Sequence, residues 1–346
     1  MPKQYAPPFT VNATILSRVA QISELLGRWS ARTGIKPSPT LRRVSRIRSV
    51  QASLAIESNR LTLEQVTAVL EGRSVLAPPH DVQEVRNAFV AYEHLSGWRA
   101  DSADDLLAAH GLLMAGLVDD PGRWRTGGVG IYRGDRLVHM APPASRVPKL
   151  MADRLAWVAR SDAHPLVTSC VFHCEFEFIH PFADGNGRLG RLWQTLILSR
   201  WQPALAWLPV ETVIRDRQND YYGALAAADA ASDASGFVAF MLGALAISLD
   251  EAIATALPTD QVTDQVSDPV PAAVVRLLAV LPPGESLSTP GLMRRLGLRH
   301  RPSFRTQYLS PALAGGWVEM SQPDAPRSPT QTYRRPGADR TAFWFF

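Results

Sequence analysis

The sequence predicts a mainly α-helical protein with one small β-hairpin, followed by a separate module of helices and strands. Three observations carry that expectation. Apolar residues recur at three- and four-residue spacing over most of residues 11–255. Residues 127–139 break the pattern with a glycine-rich stretch that reads as a hairpin. A polar near-repeat, Asp260-Gln261-Val262-Thr263-Asp264-Gln265-Val266-Ser267-Asp268, carries no core pattern and reads as a linker.

The elements follow in order. Residues 11–35 set Ile15, Val19, Ile22, Leu26 and Trp29 at helical spacing, and Gly34 stops the helix. A second helix, 40–57, starts after Pro37-Ser38-Pro39 with Thr40 as N-cap and carries Leu41, Val44, Ile47 and Leu54. Thr62 and Gln65 form a capping box for a third, which ends near Gly72. Helical patterns continue at 81–98 and 103–117. The hairpin turns at Gly134-Asp135 and ends at Pro142-Pro143. Further helices fit 145–160, 166–179, 188–200, 212–230 and 235–255. Beyond the linker, 271–282 reads as a helix, 287–298 as a helix-turn-helix and 304–314 as a third helix. The tail up to residue 334 reads as two strands around a proline-rich wing.

At 346 residues, 46% hydrophobic and 20% charged, the chain has room for two or three domains and a sizeable core. A wholly disordered or collagen-like chain is excluded. The divisions expected are an N-terminal helical region at 1–102, a catalytic core at 103–255, a linker at 256–269 and a small module at 270–346. Net charge is +4, and only Lys3, Lys36 and Lys149 are lysines, so 33 of the 36 basic residues are arginine. No lysine follows a glycine-rich loop, so no GxxxxGK[ST] phosphate loop exists, and phosphate must be held by arginine and backbone. From residue 265 onward ten arginines face five acids, which places the positive excess in the last module.

Two cysteines, Cys170 and Cys174, exclude a disulfide framework. With His173 and His180 they bring zinc to mind, but the CxxC pair that zinc deaminases need is absent, so a packed helix is the better account. The longest nearly apolar run, 236–249, lies between Asp233 and Asp250 and falls short of the ~20 residues of a membrane span. Met1-Pro2-Lys3-Gln4-Tyr5 forms no targeting block, so the expectation is a cytoplasmic protein without a membrane partner.

The informative stretch is His180-Pro181-Phe182-Ala183-Asp184-Gly185-Asn186-Gly187-Arg188-Leu189-Gly190-Arg191. A helix runs into His180 and Pro181 stops it. Asp184-Gly185-Asn186-Gly187 is a turn whose glycines allow positive φ, so successive N–H groups point one way. Arg188 then opens a helix whose N-terminus adds its dipole to the same spot. The result is an anion cradle flanked by a histidine. Its single carboxylate, beside bound phosphates, suits Mg²⁺.

This stretch resembles the signature of the Fic family, HxFx[DE]GNGRxxR, at every fixed position. The resemblance implies the Fido helical core and transfer of AMP from ATP to a Ser, Thr or Tyr hydroxyl of a protein, the chain itself included. Carried over by position, His180 is the general base, Asp184 holds Mg²⁺, and Phe182 packs in the core. Gly185, Asn186, Gly187 and Arg188 bind phosphates, and Arg191 meets the γ-phosphate. The hairpin, with Leu137, Val138 and His139, looks like the family's flap, which clamps the target segment by strand pairing. Asn219-Asp220-Tyr221-Tyr222 followed by Asp229 resembles the family's adenine and ribose pocket. The stretch Ser53-Leu54-Ala55-Ile56-Glu57-Ser58-Asn59 resembles the inhibitory motif [ST]xxxE[GN], in which Ser53 opens the motif and Glu57 pairs with Arg191. Ser58 departs from it, since Gly or Asn is usual there. Residues 270–346 look like an appended winged helix that engages DNA through Arg294, Arg295, Arg299, Arg301 and Arg305, or else a protein or a second copy. Two alternatives remain open at this level: a nucleotide-sensing DNA-binding regulator, and a Fic enzyme that transfers another phosphate-containing group.

Overall fold

Residues 5–33, 39–133, 136–255, 272–282, 284–298, 300–314, 317–322, 328 and 330–335 are described by the computed structural model. The chain divides into two units, Met1–Pro258 and Thr259–Phe346. The linker expected at 256–269 lies outside the described residues.

In the first unit, α1 (Ala13–Thr33), α2 (Pro39–Ile56), α3 (Leu63–Leu70), α4 (Pro79–Glu93) and α5 (Ala103–Leu113) precede the hairpin. The capping box is present at α3: Thr62 accepts from the Gln65 N–H and Gln65 reaches back to the Thr62 N–H. The hairpin pairs β1 (Gly130–Arg133) antiparallel to β2 (Arg136–Met140), with an irregularity between Ile131 and Tyr132. Its turn, Gly134-Asp135, lies outside the described residues, as do the side chains of Leu137 and Val138. The helices α6 (Val147–Arg160), α7 (Pro165–Ile179) and α8 (Asn186–Trp201) follow. The expected helix 212–230 is two helices, α9 (Val210–Asp216) and α10 (Gln218–Ala231), because Arg217 takes φ −118° and ψ 34° and breaks the run. The last of the unit is α11 (Ser235–Thr255).

Helix α7 is apolar almost all round, and the fold uses both sides of it. Leu166, Val167, Cys170, Val171 and Cys174 pack in one core with α1 and α11. Phe172, Phe176 and Ile179 pack in a second with α2, α4, α5 and α8. Burying each such large side chain contributes roughly 1.5–3 kcal/mol. The 180–186 loop thus hangs between two rigidly packed helices, α7 and α8. Both cysteines are free and buried, as a packed helix requires.

One expectation is corrected here. At 21 residues, α11 is long and apolar enough to cross a membrane by length and composition, because the helix runs past Asp250. Its Phe237, Val238, Met241, Leu242 and Leu245 are instead fully buried against its neighbours.

The second unit holds α12 (Ala272–Ala279), β3 (Ser286–Ser288), α13 (Thr289–Leu296) and α14 (Arg301–Phe304). A π-helical turn, Arg305–Leu309, continues into α15 (Ser310–Ala314), and β4 (Glu319–Met320) and β5 (Thr332–Arg334) close it. The sheet has the order β3-β5-β4, all antiparallel. Its first strand takes residues expected to begin a helix. Ser288 ends that strand and caps α13 by accepting from the Gly291 N–H. Val274, Leu277, Leu292, Phe304, Ala312 and Tyr333 form the core.

Candidate active site

The loop after α7 is built by local bonds. His180 takes the left-handed conformation, φ 48° and ψ 63°, and its N–H donates to the Phe176 carbonyl at 2.9 Å. Pro181 has no N–H with which to continue the helix. Phe182 is fully buried and stacks on His110, ring centroids 3.7 Å apart. Asn186 closes the turn: its Oδ1 accepts from the Phe182 N–H and its Nδ2 donates to the Phe182 carbonyl, both at 2.9 Å. The Asn186 side chain therefore shapes the loop, which leaves its backbone N–H for the anion seat.

Gly185, at φ 79°, is the N-cap of α8, and a Cβ there would lie 2.6 Å from Met114 Sδ. The helix opens at Asn186, two residues before the expected Arg188. The first N–H with a carbonyl four residues back is that of Leu189, which donates to Gly185 at 3.0 Å. The N–H groups of Asn186, Gly187 and Arg188 thus form the positive end of α8.

Above them stands Glu57. A Cβ on Gly187 would lie 2.2 Å from Glu57 Oε1 and 3.1 Å from Arg191 Nη1. Arg191 is 2% exposed; its Nη2 donates to Glu57 Oε1 at 2.8 Å and to the Ser53 carbonyl at 2.9 Å, and its Nε donates to Ser53 Oγ at 3.0 Å. Burial disfavours the charge on Arg191, but Glu57, Tyr221 and Glu177 together more than offset this and raise its pKa above the ordinary arginine value. Arg191 Nη1 is buried and has no hydrogen-bond partner.

Glu57 is fixed by the end of α2. Asn59 N–H donates to the Leu54 carbonyl and Ser58 N–H to the Ala55 carbonyl, both at 3.1 Å, the paired bonds of a Schellman cap. Such a cap needs a left-handed residue, and Ser58 supplies it at φ 74°. The resembled motif's Gly or Asn has its physical reason here. Gln218 Nε2 donates to the Ile56 carbonyl at 2.8 Å, and Tyr222 Oη lies 3.4 Å from it.

Arg188 is 6% exposed and committed: it bonds Glu84 through Nη1 and Asp184 Oδ1 through Nη2 at 3.0 Å. It braces the cradle's wall. Tyr221 borders the cavity but spends its hydroxyl inside the core. It is 1% exposed, its hydroxyl lies 3.0 Å from His173 Nε2, and its ring packs against Phe237. Tyr222 and Asp229 line the same cavity. Asp229 Oδ2, however, is taken by His139 Nδ1 at 2.8 Å, while His139 Nε2 lies 2.8 Å from the Phe178 carbonyl. The His139 side chain therefore turns back onto the protein.

His180, Glu57, Gly187, Arg191, Tyr222 and Asp229 all border one cavity of about 900 Å³. Burial pushes the His180 pKa down, so the ring is neutral near pH 7. Its Nδ1 lies 3.3 Å from the Glu177 carbonyl, which favours a proton on Nδ1 and leaves Nε2 as a free acceptor.

Three groups escaped sequence reading. Arg125, 5% exposed, donates to the carbonyls of Gly127 (2.8 Å), Pro142 (2.5 Å), Ile179 (3.2 Å) and His180 (2.7 Å), and so ties the foot of the hairpin to the catalytic loop. Its only signal was an arginine just ahead of Gly127-Gly128. His110 holds the loop from below: its Nε2 lies 3.0 Å from the Asp184 carbonyl and its Nδ1 accepts from the Gly122 N–H. Burial pushes His110 down to about 4, so it stays neutral. Glu177 is buried beside His180, its Oε2 3.9 Å from Nδ1, and burial pushes it up to about 8.

Asp184 fits a hard cation. Its side chain is 60% exposed, and only Oδ1 is engaged, by Arg188 and by the Gly185 N–H. A second group, His80, Asp81 and Glu84, brings three donor atoms within 4.8 Å of one another. Glu84 there is already committed to Arg188 and to Asn59 Nδ2.

A helical scaffold with a helix N-terminus bordering a cavity and a neutral histidine beside it is an arrangement suited to an anionic ligand. The comparisons narrow it. The Fic/DOC family matches residues 100–198, and the family described as "Filamentation induced by cAMP protein Fic-like, C-terminal domain" matches 272–335. A solved Fic family protein from Desulfovibrio desulfuricans is 58% identical, with 96% of this chain and 99% of that one covered and a TM-score of 0.71. A Fic domain protein from Bacteroides thetaiotaomicron, 20% identical with a TM-score of 0.57, shares the fold. Among curated relatives, protein adenylyltransferase fic-1 of Caenorhabditis briggsae is 30% identical over 209 residues, 55% of this chain. The chain spans 39% of that relative's length. This chain belongs to the Fic family.

Proposed function

We propose that the chain is a protein adenylyltransferase, moving AMP from ATP to a Ser, Thr or Tyr hydroxyl of a protein, and that Glu57 holds it inhibited. One observation carries the reading: His180, with Nε2 free, shares a cavity with a helix N-terminus and Arg191, and Glu57 sits on the anion seat between them. The relatives named protein adenylyltransferase support it.

In this reading the target hydroxyl gives its proton to His180 Nε2, and its oxygen attacks the α-phosphorus. The O–P bond forms as the bond to the β-phosphate bridge breaks, and pyrophosphate leaves. The N–H groups of Gly187 and Arg188 and the positive end of α8 stabilise charge on the phosphates. Asp184 would hold Mg²⁺, which supplies charge neutralisation to the polyphosphate. The carboxylate of Glu57 fills the place where Arg191 Nη1 and the Gly187 backbone would meet the γ-phosphate. Two anions do not share one seat, so ATP settles in the cavity with its α-phosphorus out of line.

For the 270–346 module we propose a winged helix that docks DNA or protein. Of the arginines expected to contact DNA, Arg294, Arg301 and Arg305 are exposed, Arg295 is paired with Glu285 at 2.6 Å, and Arg299 lies outside the described residues. We place the work of the chain in the cytoplasm, where ATP and thiol-bearing proteins meet.

The test is incubation of the Glu57→Gly variant with Mg²⁺ and α-labelled ATP in lysate, followed by mass spectrometry of labelled peptides. An adenylyl adduct on a hydroxyl side chain supports the reading. Label from UTP but not from ATP, or from γ- but not α-labelled ATP, would overturn it.

A further inference from the structure

We propose that Glu177 is a positioning residue for His180: its carboxylate is the counter-charge that steadies the imidazolium formed when His180 takes the hydroxyl proton. The inference rests on the transferase reading given above.

The placement is specific. Glu177 lies one turn before His180 on α7, is 8% exposed, and borders the same cavity as His180. Oε2 stands 3.9 Å from His180 Nδ1 and Oε1 stands 3.8 Å from His173 Nε2. Oε1 is buried with no hydrogen-bond partner. Buried polar atoms are almost always bonded, and one that is not calls for an explanation. The neighbouring helix makes room for it: a Cβ on Gly190 would lie 2.7 Å from Oε1. Two helices thus keep Oε1 buried and unbonded, with the carboxyl group next to the proton-accepting ring. A purely structural side chain would gain more from a methyl or an amide in that space.

The surroundings allow both charge states. On α8, Arg191 favours the ionised carboxylate, while Glu57 on the turn after α2 opposes it. The α10 side offers Tyr221 and Tyr222, whose hydroxyls burial keeps neutral. On its own helix, Cys174 is kept neutral by burial and His173 is held near 4. His139 on the hairpin, Arg125 and Glu57 act on His180 from the other side. Against these, burial sets Glu177 at about 8.

The chemistry follows. As the hydroxyl proton reaches Nε2, Nδ1 keeps its own proton on the Glu177 backbone carbonyl, and no proton passes to the carboxyl group. The ring's new positive charge then lies 3.9 Å from Oε2. An ionised Glu177 makes His180 the stronger base, so transfer gains as pH rises toward and past 8. A neighbouring charge acts on a ring this way through space in a site that water does not screen.

The test is a titration of the full chain with isotope-labelled histidine, followed by NMR in the wild type, Glu177→Gln and Glu177→Asp, alongside transfer rates for each in the Glu57→Gly background. The wild-type His180 ring resonances are expected to show an inflection near pH 8, where Glu177 ionises beside the neutral ring, to lose it in Glu177→Gln and to keep one in Glu177→Asp. The turnover rate should fall about tenfold in Glu177→Gln with the KM for ATP unchanged, and the rise near pH 8 should vanish. No inflection near pH 8 in the wild-type His180 resonances, or one that survives Glu177→Gln, overturns the proposal, as does a KM effect equal to the turnover effect. The NMR reading does not depend on transfer. Absence of transfer in every variant, with the inflection near pH 8 present in the wild type and lost in Glu177→Gln, would therefore count against the adenylyltransferase reading and not against the pairing of Glu177 with His180.

Discussion

Glu57 stands so close over Gly187 that a methyl group on Gly187 would lie 2.2 Å from its Oε1. A carboxylate thus occupies the mouth of a helix N-terminus, held there by Arg191 at 2.8 Å. A charge-assisted pair with one partner buried is worth roughly 1.5–3 kcal/mol. Glu57→Gly is therefore expected to raise automodification at least about tenfold. Label incorporation from α-labelled ATP measures it, and a variant no faster than wild type would place the inhibitor elsewhere.

Arg191→Ala should not activate. The substitution removes Glu57's partner and the expected γ-phosphate ligand together, so ATP binding measured by calorimetry should weaken in the Glu57→Gly background. Unchanged binding there would take Arg191 out of the phosphate site.

His180→Ala should abolish label transfer and leave ATP binding and the unfolding midpoint close to wild type. The cradle's N–H groups belong to α8, whereas the imidazole belongs to the end of α7, so the two functions separate. Residual transfer at the wild-type rate would remove His180 from the reaction.

Ser58→Gly should stabilise the chain by about 0.5–1 kcal/mol, because the left-handed cap at φ 74° costs a serine more than a glycine. Urea unfolding measures the gain. Automodification should stay low, since Glu57 remains in place.

Stability should peak near pH 6.5. His110 and His173 both drop from the ordinary 6.5 to about 4 on burial, so below 6.5 the unfolded chain binds protons that the native chain refuses. Their contribution is present above 6.5 and lost as pH falls toward 4. Glu177 acts the other way. Raised to about 8, it holds a proton in the native state that the unfolded chain releases above 4.5, so its contribution is lost as pH rises toward 8. Below 6.5 the lowered histidines, His164 and His180 among them, outweigh the raised glutamates Glu177 and Glu211, and above it the glutamates set the slope. Urea midpoints from pH 4 to 8.5 should trace that rise and fall, and a monotonic profile would contradict it.

What the sequence by itself determined is local. The 180–191 stretch, the Thr62–Gln65 capping box and the Ser53-to-Ser58 helix end are each encoded within a dozen residues. Helical spacing and turn chemistry leave readable traces at that range. Even the departure at Ser58 was visible, though its meaning, a left-handed cap, needed backbone angles. Only the tertiary structure decided which of the motif's residues face the cavity. Asn186 and Arg188 spend their side chains on Phe182, Glu84 and Asp184, and Tyr221 borders the cavity while its hydroxyl lies on His173. It also supplied partners with no motif of their own, Arg125 beneath the hairpin and His110 under Asp184, and it turned the flap's His139 onto Asp229. Glu177, though only three residues from His180, depended on the room left at Gly190 and on burial by α8 and α10. Ser53 and Arg191 are 138 residues apart in the chain. A contact across that distance imposes no period on the sequence, because its energy is collected only after two cores have closed around α7.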